Sequence, residues 1–154
     1  MGKKILIAVI GGHSCDKKTA KIAQELGKEI AEFGAILICG GLGGIMEAVA
    51  KGAKENNGIT VGILPGENKN GANSYIDIPI ATGLGYTRNT LVTTAADIII
   101  ALSGEYGTLS EIGFALNAGK TVIGIGTWDI KGIIKVNTVT EAIEEIKNRI
   151  NNKK

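Results

Sequence analysis

The sequence predicts an α/β fold in three layers, a mostly parallel sheet of six or seven strands between two sets of helices. Three observations carry that expectation. Strand-sized runs of branched aliphatics alternate with segments of helical periodicity almost throughout, the pattern of a parallel sheet covered on both faces. The first run, Ile5–Ile10, is continuously apolar, as a strand buried on both sides should be. Three glycine-rich turns stand where strands hand over to helices, at the edge where open α/β sheets bind ligands. The expected architecture is one Rossmann-like α/β/α domain over residues 1–154, with no linker, repeat or low-complexity segment.

Each element has a local reason. After Ile5–Ile10, the segment from Asp16 to Phe33 sets Ile22, Leu26, Ile30 and Phe33 on one face and stops at Gly34, an amphipathic helix with a glycine end. Ala35–Cys39 is the second strand. A helix follows over Gly43–Asn57, with Met46, Val49 and Ala53 inward and Asn57-Gly58 closing it. Ile59–Leu64 is the third strand. Pro65–Ser74, rich in glycine and asparagine, reads as an exposed loop open to a substrate or subunit contact. Ile76–Ile80 follows as a strand, and Pro79 within it predicts an edge or distorted position. Then come a helix over Tyr86–Ala95, the strand Asp97–Leu102, a helix over Leu109–Ala118 stopped by Gly119, and the strand Thr121–Ile125. Ile133–Val136 reads as a short added strand. The last helix starts at Thr138, where Thr138-x-x-Glu141 spells a capping box, and buries Ala142, Ile143, Ile146 and Ile150.

Composition narrows the functional classes. Of the 154 residues, 44% are apolar and 21% charged, an ordinary globular balance. Net charge is +2, with cations spread along the chain and a small basic end at Lys153-Lys154, which argues against a broad surface for DNA or anionic lipid. The expected partner is therefore a small molecule, with neither nucleic acid nor membrane. No apolar run nears the roughly 20 residues that span a bilayer, and Met1-Gly2-Lys3-Lys4 leads into a strand without a cleavage pattern, so a cytoplasmic protein is expected. Two cysteines, Cys15 and Cys39, are too few for a zinc site or disulfide scaffold. Neither a metal nor a resident cofactor is expected. Cys39 reads as a small buried hydrophobe, and Cys15 as a thiol beside the first turn without a marked partner base.

The three turns are Gly11-Gly12-His13-Ser14, Gly40-Gly41-Leu42-Gly43-Gly44 and Gly104-Glu105-Tyr106-Gly107-Thr108. Glycine admits close backbone approach to a ligand, and the free amides of a following helix attract anions. Gly12, Gly40, Gly41, Gly43, Gly44, Gly104, Gly107 and Thr108 are the expected phosphate-binding residues. Glu111 has two readings: a pocket carboxylate, or the closing half of a Thr108-Leu109-Ser110-Glu111 capping box. Arg88 falls in the first turn of its expected helix, where the dipole disfavours a cation. It is explained if it meets an anion, either Glu111 or a ligand phosphate; the alternative is a solvated side chain. His13, the one histidine, is open between ligand contact and turn residue. Glu47 suits the dipole of its helix, and Asp97 and Asp129, at strand ends, read as structural. No Ser-His-Asp set, Walker lysine motif or Gly-x-Gly-x-x-Gly fingerprint occurs, which leaves kinase-like and ordinary NAD chemistry unsupported.

From about Lys4 to Ile150 the chain resembles the cytokinin-activating phosphoribohydrolases named "lonely guy" (LOG), often misannotated as lysine decarboxylases. It also resembles the molybdenum-cofactor carrier proteins that share their fold and, distantly, the Rossmann domain of the DNA-processing protein DprA. Ser103-Gly104-Glu105-Tyr106-Gly107-Thr108-Leu109-Ser110-Glu111 meets the family's Pro-Gly-Gly-x-Gly-Thr-x-x-Glu, and Gly40–Glu47 resembles its Gly-Gly-x-x-Gly-x-Met segment. Gly85-Tyr86-Thr87-Arg88-Asn89 meets Met-x-x-Arg-Lys and keeps only the arginine. The departures are Ser103 for proline, Glu105 for glycine and Asn89 for lysine. They set a negative charge beside the phosphate turn and remove a cation. The resemblance implies a homodimer with pockets near the subunit interface. It implies either of two functions. One is hydrolysis of a nucleoside 5′-monophosphate to base and ribose 5-phosphate, with Glu111 and Arg88 catalytic, Glu111 held by Arg88, and Gly104, Gly107 and Thr108 on the phosphate. The other is non-catalytic carriage of molybdenum cofactor or another phosphorylated ligand.

Overall fold

A computed structural model describes residues 2–152; the basic end at Lys153-Lys154 lies outside the described residues. The chain runs β1 (Leu6–Ile10), α1 (Lys17–Glu32), β2 (Ile36–Cys39), α2 (Ile45–Glu55), β3 (Thr60–Leu64), β4 (Ile78–Ala81), α3 (Asn89–Ala95), β5 (Ile98–Ala101), α4 (Tyr106–Asn117), β6 (Thr121–Ile125), β7 (Ile134–Val136) and α5 (Val139–Asn151). The sheet has seven strands in the order β4-β3-β2-β1-β5-β6-β7, and every pairing is parallel. This is the expected Rossmann-like architecture, in its seven-stranded form. No helix among the described residues is long and apolar enough to cross a membrane.

Alternate side chains of the central strands feed two cores. Ile7, Val9, Leu37, Ile98 and Ile100 pack with α1, α2 and α5; Ala8, Ile10, Ile38, Ile99 and Ala101 pack with α3 and α4. The continuous apolar runs of the sequence follow from that double burial. On the first face α1 and α2 approach very closely. A side chain at Gly27 or Gly52 would overlap the backbone of the facing helix at Val49 or Gln24.

Local chemistry fixes the ends as expected in several places. Asp16 caps α1, its Oδ1 accepting from Thr19 N at 2.7 Å. Thr138 caps α5 by accepting from Glu141 N at 3.1 Å, while Glu141 Oε2 accepts from Asn137 N at 2.9 Å. Pro79 does lie on an edge strand, opposite Gly62. That edge is pinned by Asp77, which takes Lys54 Nζ at 2.8 Å and Thr60 N at 3.0 Å. Burial pushes the Asp77 carboxyl up, but Lys54 and the Thr60 hydrogen bonds outweigh it and hold it below the ordinary value.

Several boundaries shift by one or two residues, as where the strand expected at Ile76–Ile80 runs Ile78–Ala81, and two larger differences bear on function. The helix expected from Tyr86 divides into a 3-10 turn at Gly85–Arg88 and α3 from Asn89. The helix expected from Leu109 starts three residues earlier, at Tyr106, so Thr108 and Glu111 lie inside it and form no cap.

Candidate functional site

The order of strands reverses beside β1, with β2 on one side and β5 on the other. At such a switch point the chain leaves neighbouring strands in opposite directions and opens a crevice at their carboxyl ends. A cleft of about 710 Å³ lies there, walled by the turns after β1 and β5, Gly40 after β2, and the 3-10 turn before α3. The turns are stitched to one another. Gly12 N donates to Ser103 O at 2.9 Å, and Ile45 N donates to Gly12 O at 3.1 Å.

Of the eight residues expected at a phosphate, Gly12, Gly40, Gly104, Gly107 and Thr108 line this cleft. Gly41, Gly43 and Gly44 do not border it; they form the second turn behind that wall. Gly41 (φ +76°) rests near Leu64 and Gly62, and Gly44 (φ +64°) sits against the Gly12–His13 backbone, where a side chain would collide. That second turn is held by Asn73, whose Nδ2 donates to Leu42 O at 2.8 Å and Gly41 O at 3.2 Å. The loop over residues 65–74 therefore has a structural task that its composition did not reveal. Gly104 is required by packing, because a Cβ would overlap the Thr108 side chain. Gly107 is not. Its Cβ would meet nothing nearer than Asn89 Nδ2 at 3.7 Å, so space, not packing, is what this glycine leaves on the cleft side.

Arg88 is buried, 4% exposed, which removes the solvated alternative. Its Nη1 donates to Asn89 Oδ1 and its Nη2 to Gly40 O at 3.5 Å. Its Nε is buried with no hydrogen-bond partner among the described residues. Gly40 gives the guanidinium its place: a Cβ there would lie 2.7 Å from Nη2 and 2.6 Å from Met46 Sδ. Burial lowers the Arg88 pKa, and Glu111 and Cys39 oppose that shift.

Glu111 is also buried, 7% exposed, and lines the cleft one turn into α4. The capping alternative fails, since Glu105 occupies the N-cap position and makes no side-chain bond. Burial pushes the Glu111 carboxyl up to about 8, against the opposing charge of Arg88. The two are near enough to influence each other, yet no contact within 4.0 Å pairs them among the described residues. The expected grip of Arg88 on Glu111 is thus not made as an ion pair; the guanidinium is turned to Asn89 and Gly40 instead.

Asn89, where a family lysine was missing, is buried and borders the cleft. Asn89 brings no cation to the cleft, and its Oδ1 instead accepts from Arg88 Nη1 and orients the guanidinium. Glu105 is exposed at the cleft's edge, and exposed His13 lies across from it on the first turn. Glu47 is exposed in the first turn of α2, a dipole position away from the cleft. Asp97 Oδ2 accepts from Leu6 N at 2.9 Å, and Asp129 pairs with Lys135; both are structural, as expected. Cys39 lies fully buried under the site, its thiol pushed up to about 11 by burial. Cys15 is half-buried and likewise raised, by burial and then by Asp16.

Chemically, the cleft offers one buried cation with an unused donor, one buried carboxyl, and a glycine turn opening a twelve-residue helix. That combination suits an anion with a polar body. The model of the SLOG cluster4 family matches residues 4–152. An uncharacterised protein of Archaeoglobus fulgidus is 48% identical over 123 residues, 80% of this chain and 81% of its own. Among solved structures, the molybdenum cofactor binding protein of Rippkaea orientalis superposes with a TM-score of 0.91 at 35% identity, covering 96% of this chain and 98% of that one. The molybdenum cofactor carrier protein of Chlamydomonas reinhardtii does so with 0.87 at 34%, covering 95% and 98%. DNA processing protein A of Helicobacter pylori shares the fold alone, at 16% identity, 94% and 81% coverage and a TM-score of 0.74.

Proposed function

We propose that this chain, which belongs to the SLOG cluster4 family, is a single-domain protein that binds and carries a phosphorylated ligand, with a phosphorylated pterin such as molybdenum cofactor as first choice and a nucleoside 5′-monophosphate as second. The observation that carries the reading is Arg88: buried in the switch-point cleft, with a donor left unpaired. A buried cation without a carboxylate partner costs stability, and a ligand anion is what would offset it. Proteins named for molybdenum cofactor binding and carriage, similar over nearly their whole length, support the choice of cargo. The small net charge, +2, with cations spread along the chain, argues against single-stranded DNA and favours a small ligand.

Thermal-shift screening of nucleotides, ribose 5-phosphate, inorganic phosphate and phosphorylated pterins tests this reading. Saturation near a hundred times Kd adds about 2.7 kcal/mol, or roughly 5–10 °C for a chain of this size. Gly107→Val should fold normally, given the space around that residue, and lose the shift because its branches fill the phosphate approach. No shift with any of these compounds refutes the proposal.

A hydrolase is the second reading, favoured by one observation: Glu111 is a buried carboxyl with no hydrogen bond among the described residues, facing the cleft. N-glycosidic cleavage has an oxocarbenium-like transition state that a carboxylate stabilises. Burial opposes that role, since a group titrating at about 8 is mostly neutral at pH 7. Incubation with AMP decides the matter. The carrier reading expects no free adenine, whereas adenine release lost in Glu111→Gln would establish the hydrolase.

The protein is further proposed to form a homodimer. Leu84, Leu91 and Phe114 are large apolar side chains left exposed on and beside α3 and α4, and a second subunit covering them would remove that surface from water. Sedimentation equilibrium at micromolar concentration should give twice the chain mass, and Phe114→Glu should give the monomer. A wild-type monomer refutes the dimer.

A further inference from the structure

The third glycine turn also carries a large side chain at the cleft that neither its glycines nor Arg88 account for. Tyr106, the first residue of α4, is 80% exposed, yet it borders the cleft. A tyrosine so exposed normally samples several rotamers. This one is backed by Trp128 from the loop after β6, with ring centroids 6.3 Å apart and planes 30° from parallel. Trp128 packs in turn on the α4 side of the core with Leu116, Ile130 and Ile133. Tyr106 is therefore braced from within the fold while most of its surface stays open. Tyr86, 78% exposed, borders the same cleft from the 3-10 turn before α3. Two tyrosines at the mouth of a polar cleft add flat, apolar surface next to groups that suit an anion. Burying such rings against another planar ring is favourable through both area and stacking.

We propose that Tyr106, braced by Trp128, is a specificity-determining residue that stacks on the planar heterocycle of the ligand, so that the site selects phosphates bearing a flat ring over bare sugar phosphates. This rests on the phosphate-binding reading above and goes beyond it by naming the part of the ligand that is recognised. The second rim tyrosine, Tyr86, meets the ring or its solvent edge.

AMP and ribose 5-phosphate carry the same phosphate and sugar and differ by the base, and a phosphorylated pterin supplies the other ring. Titration calorimetry of the wild type, Tyr106→Phe and Tyr106→Ala with these probes is the test. The ring-bearing ligands should bind about tenfold or more tightly than ribose 5-phosphate, the effect of one base on one aromatic side chain. Tyr106→Phe should keep that gap and Tyr106→Ala should narrow it by about tenfold, to what Tyr86 still supplies, leaving ribose 5-phosphate unchanged. The chain has one tryptophan, so its emission reports directly on the brace, and it should respond to AMP but not to ribose 5-phosphate. Circular dichroism checks that the variants fold, which the exposure of Tyr106 favours. Equal losses for all probes, or no loss, overturn the stacking role while leaving phosphate binding intact. A changed sedimentation coefficient with unchanged ligand selectivity overturns it by assigning the ring to a subunit contact. Failure of every probe, inorganic phosphate included, overturns this inference and the phosphate reading together.

Discussion

Arg88→Met should produce a protein that melts no lower than the wild type and binds phosphorylated ligands at least a hundredfold more weakly. The guanidinium has two partners, Asn89 Oδ1 and Gly40 O, and a buried Nε with none among the described residues. A cation held this way is desolvated without full repayment, which is why its pKa is lowered. Methionine fills similar volume without charge, so the empty protein should gain stability, by roughly 2–4 °C for each 1 kcal/mol recovered. Removing one member of a buried charge pair costs about 2–5 kcal/mol of binding, which sets the expected loss of affinity. Arg88→Lys should not restore binding, because the slot between Gly40 and Asn89 fits a planar fork rather than a point charge. Gly40→Ala should behave as a milder copy, its Cβ displacing Nη2. Calorimetry and melting curves on the same preparations check both halves. An Arg88→Met protein that melts lower and still binds normally would show that Arg88 serves the fold.

The strands were legible because each core strand is buried on two faces and so is written as an unbroken aliphatic run, as in Ile98–Ala101. Helices with an apolar stripe were legible for the same kind of reason; Leu26 and Ile30 are fully buried on α1, as their spacing implies. Pro79 announced its edge strand because a proline lacks the ladder donor. The start of α4 was hidden. Glu105 caps it without a side-chain bond, while Thr108 and Glu111 imitate a capping box one turn inside the helix. Arg88 was visible as an anomaly, a cation at a helix start, but not as a buried one. Burial is a property of what surrounds it, and Gly40 lies 48 residues away. Asn73 and Asn89 were opaque for that reason too. Asn73 matters through carbonyls 31 and 32 residues distant, and Asn89 through the orientation of a neighbour's guanidinium. Convergence of the turns on one sheet edge, by contrast, follows from parallel topology alone, so the cleft was readable while the direction of its side chains was not.

Glu111→Gln should abolish a fall in stability that the wild type shows between about pH 5 and pH 8. In the unfolded chain this carboxyl titrates at its ordinary value near 4.5, and in the fold at about 8, burial outweighing the attraction of Arg88. Between those values the folded protein keeps a proton that the unfolded chain has lost. Stability therefore declines as pH rises through the window, by up to about 1.4 kcal/mol per pH unit, and the Glu111 contribution levels off above it. The whole decline is on the order of 4 kcal/mol. Glutamine has no proton to lose, so the variant should match the wild type near pH 5 and exceed it at pH 9 in urea unfolding. The folded Cys39 thiol, pushed up from 9.0 to about 11, stays protonated across the range while the unfolded thiol begins to ionise toward pH 9, a late decline that both proteins share and that cancels in the comparison. Ligand binding should follow the same charge. While Glu111 is neutral, Arg88 faces an incoming phosphate alone; once Glu111 ionises, a second anion occupies the cleft and affinity for phosphate falls between pH 7 and pH 9. In Glu111→Gln the affinity should stay flat over that interval. Parallel stability curves for the two proteins from pH 5 to pH 9 would mean that Glu111 is ionised throughout. That result would return it to the role of a catalytic carboxylate and make the hydrolase the better reading of the cleft.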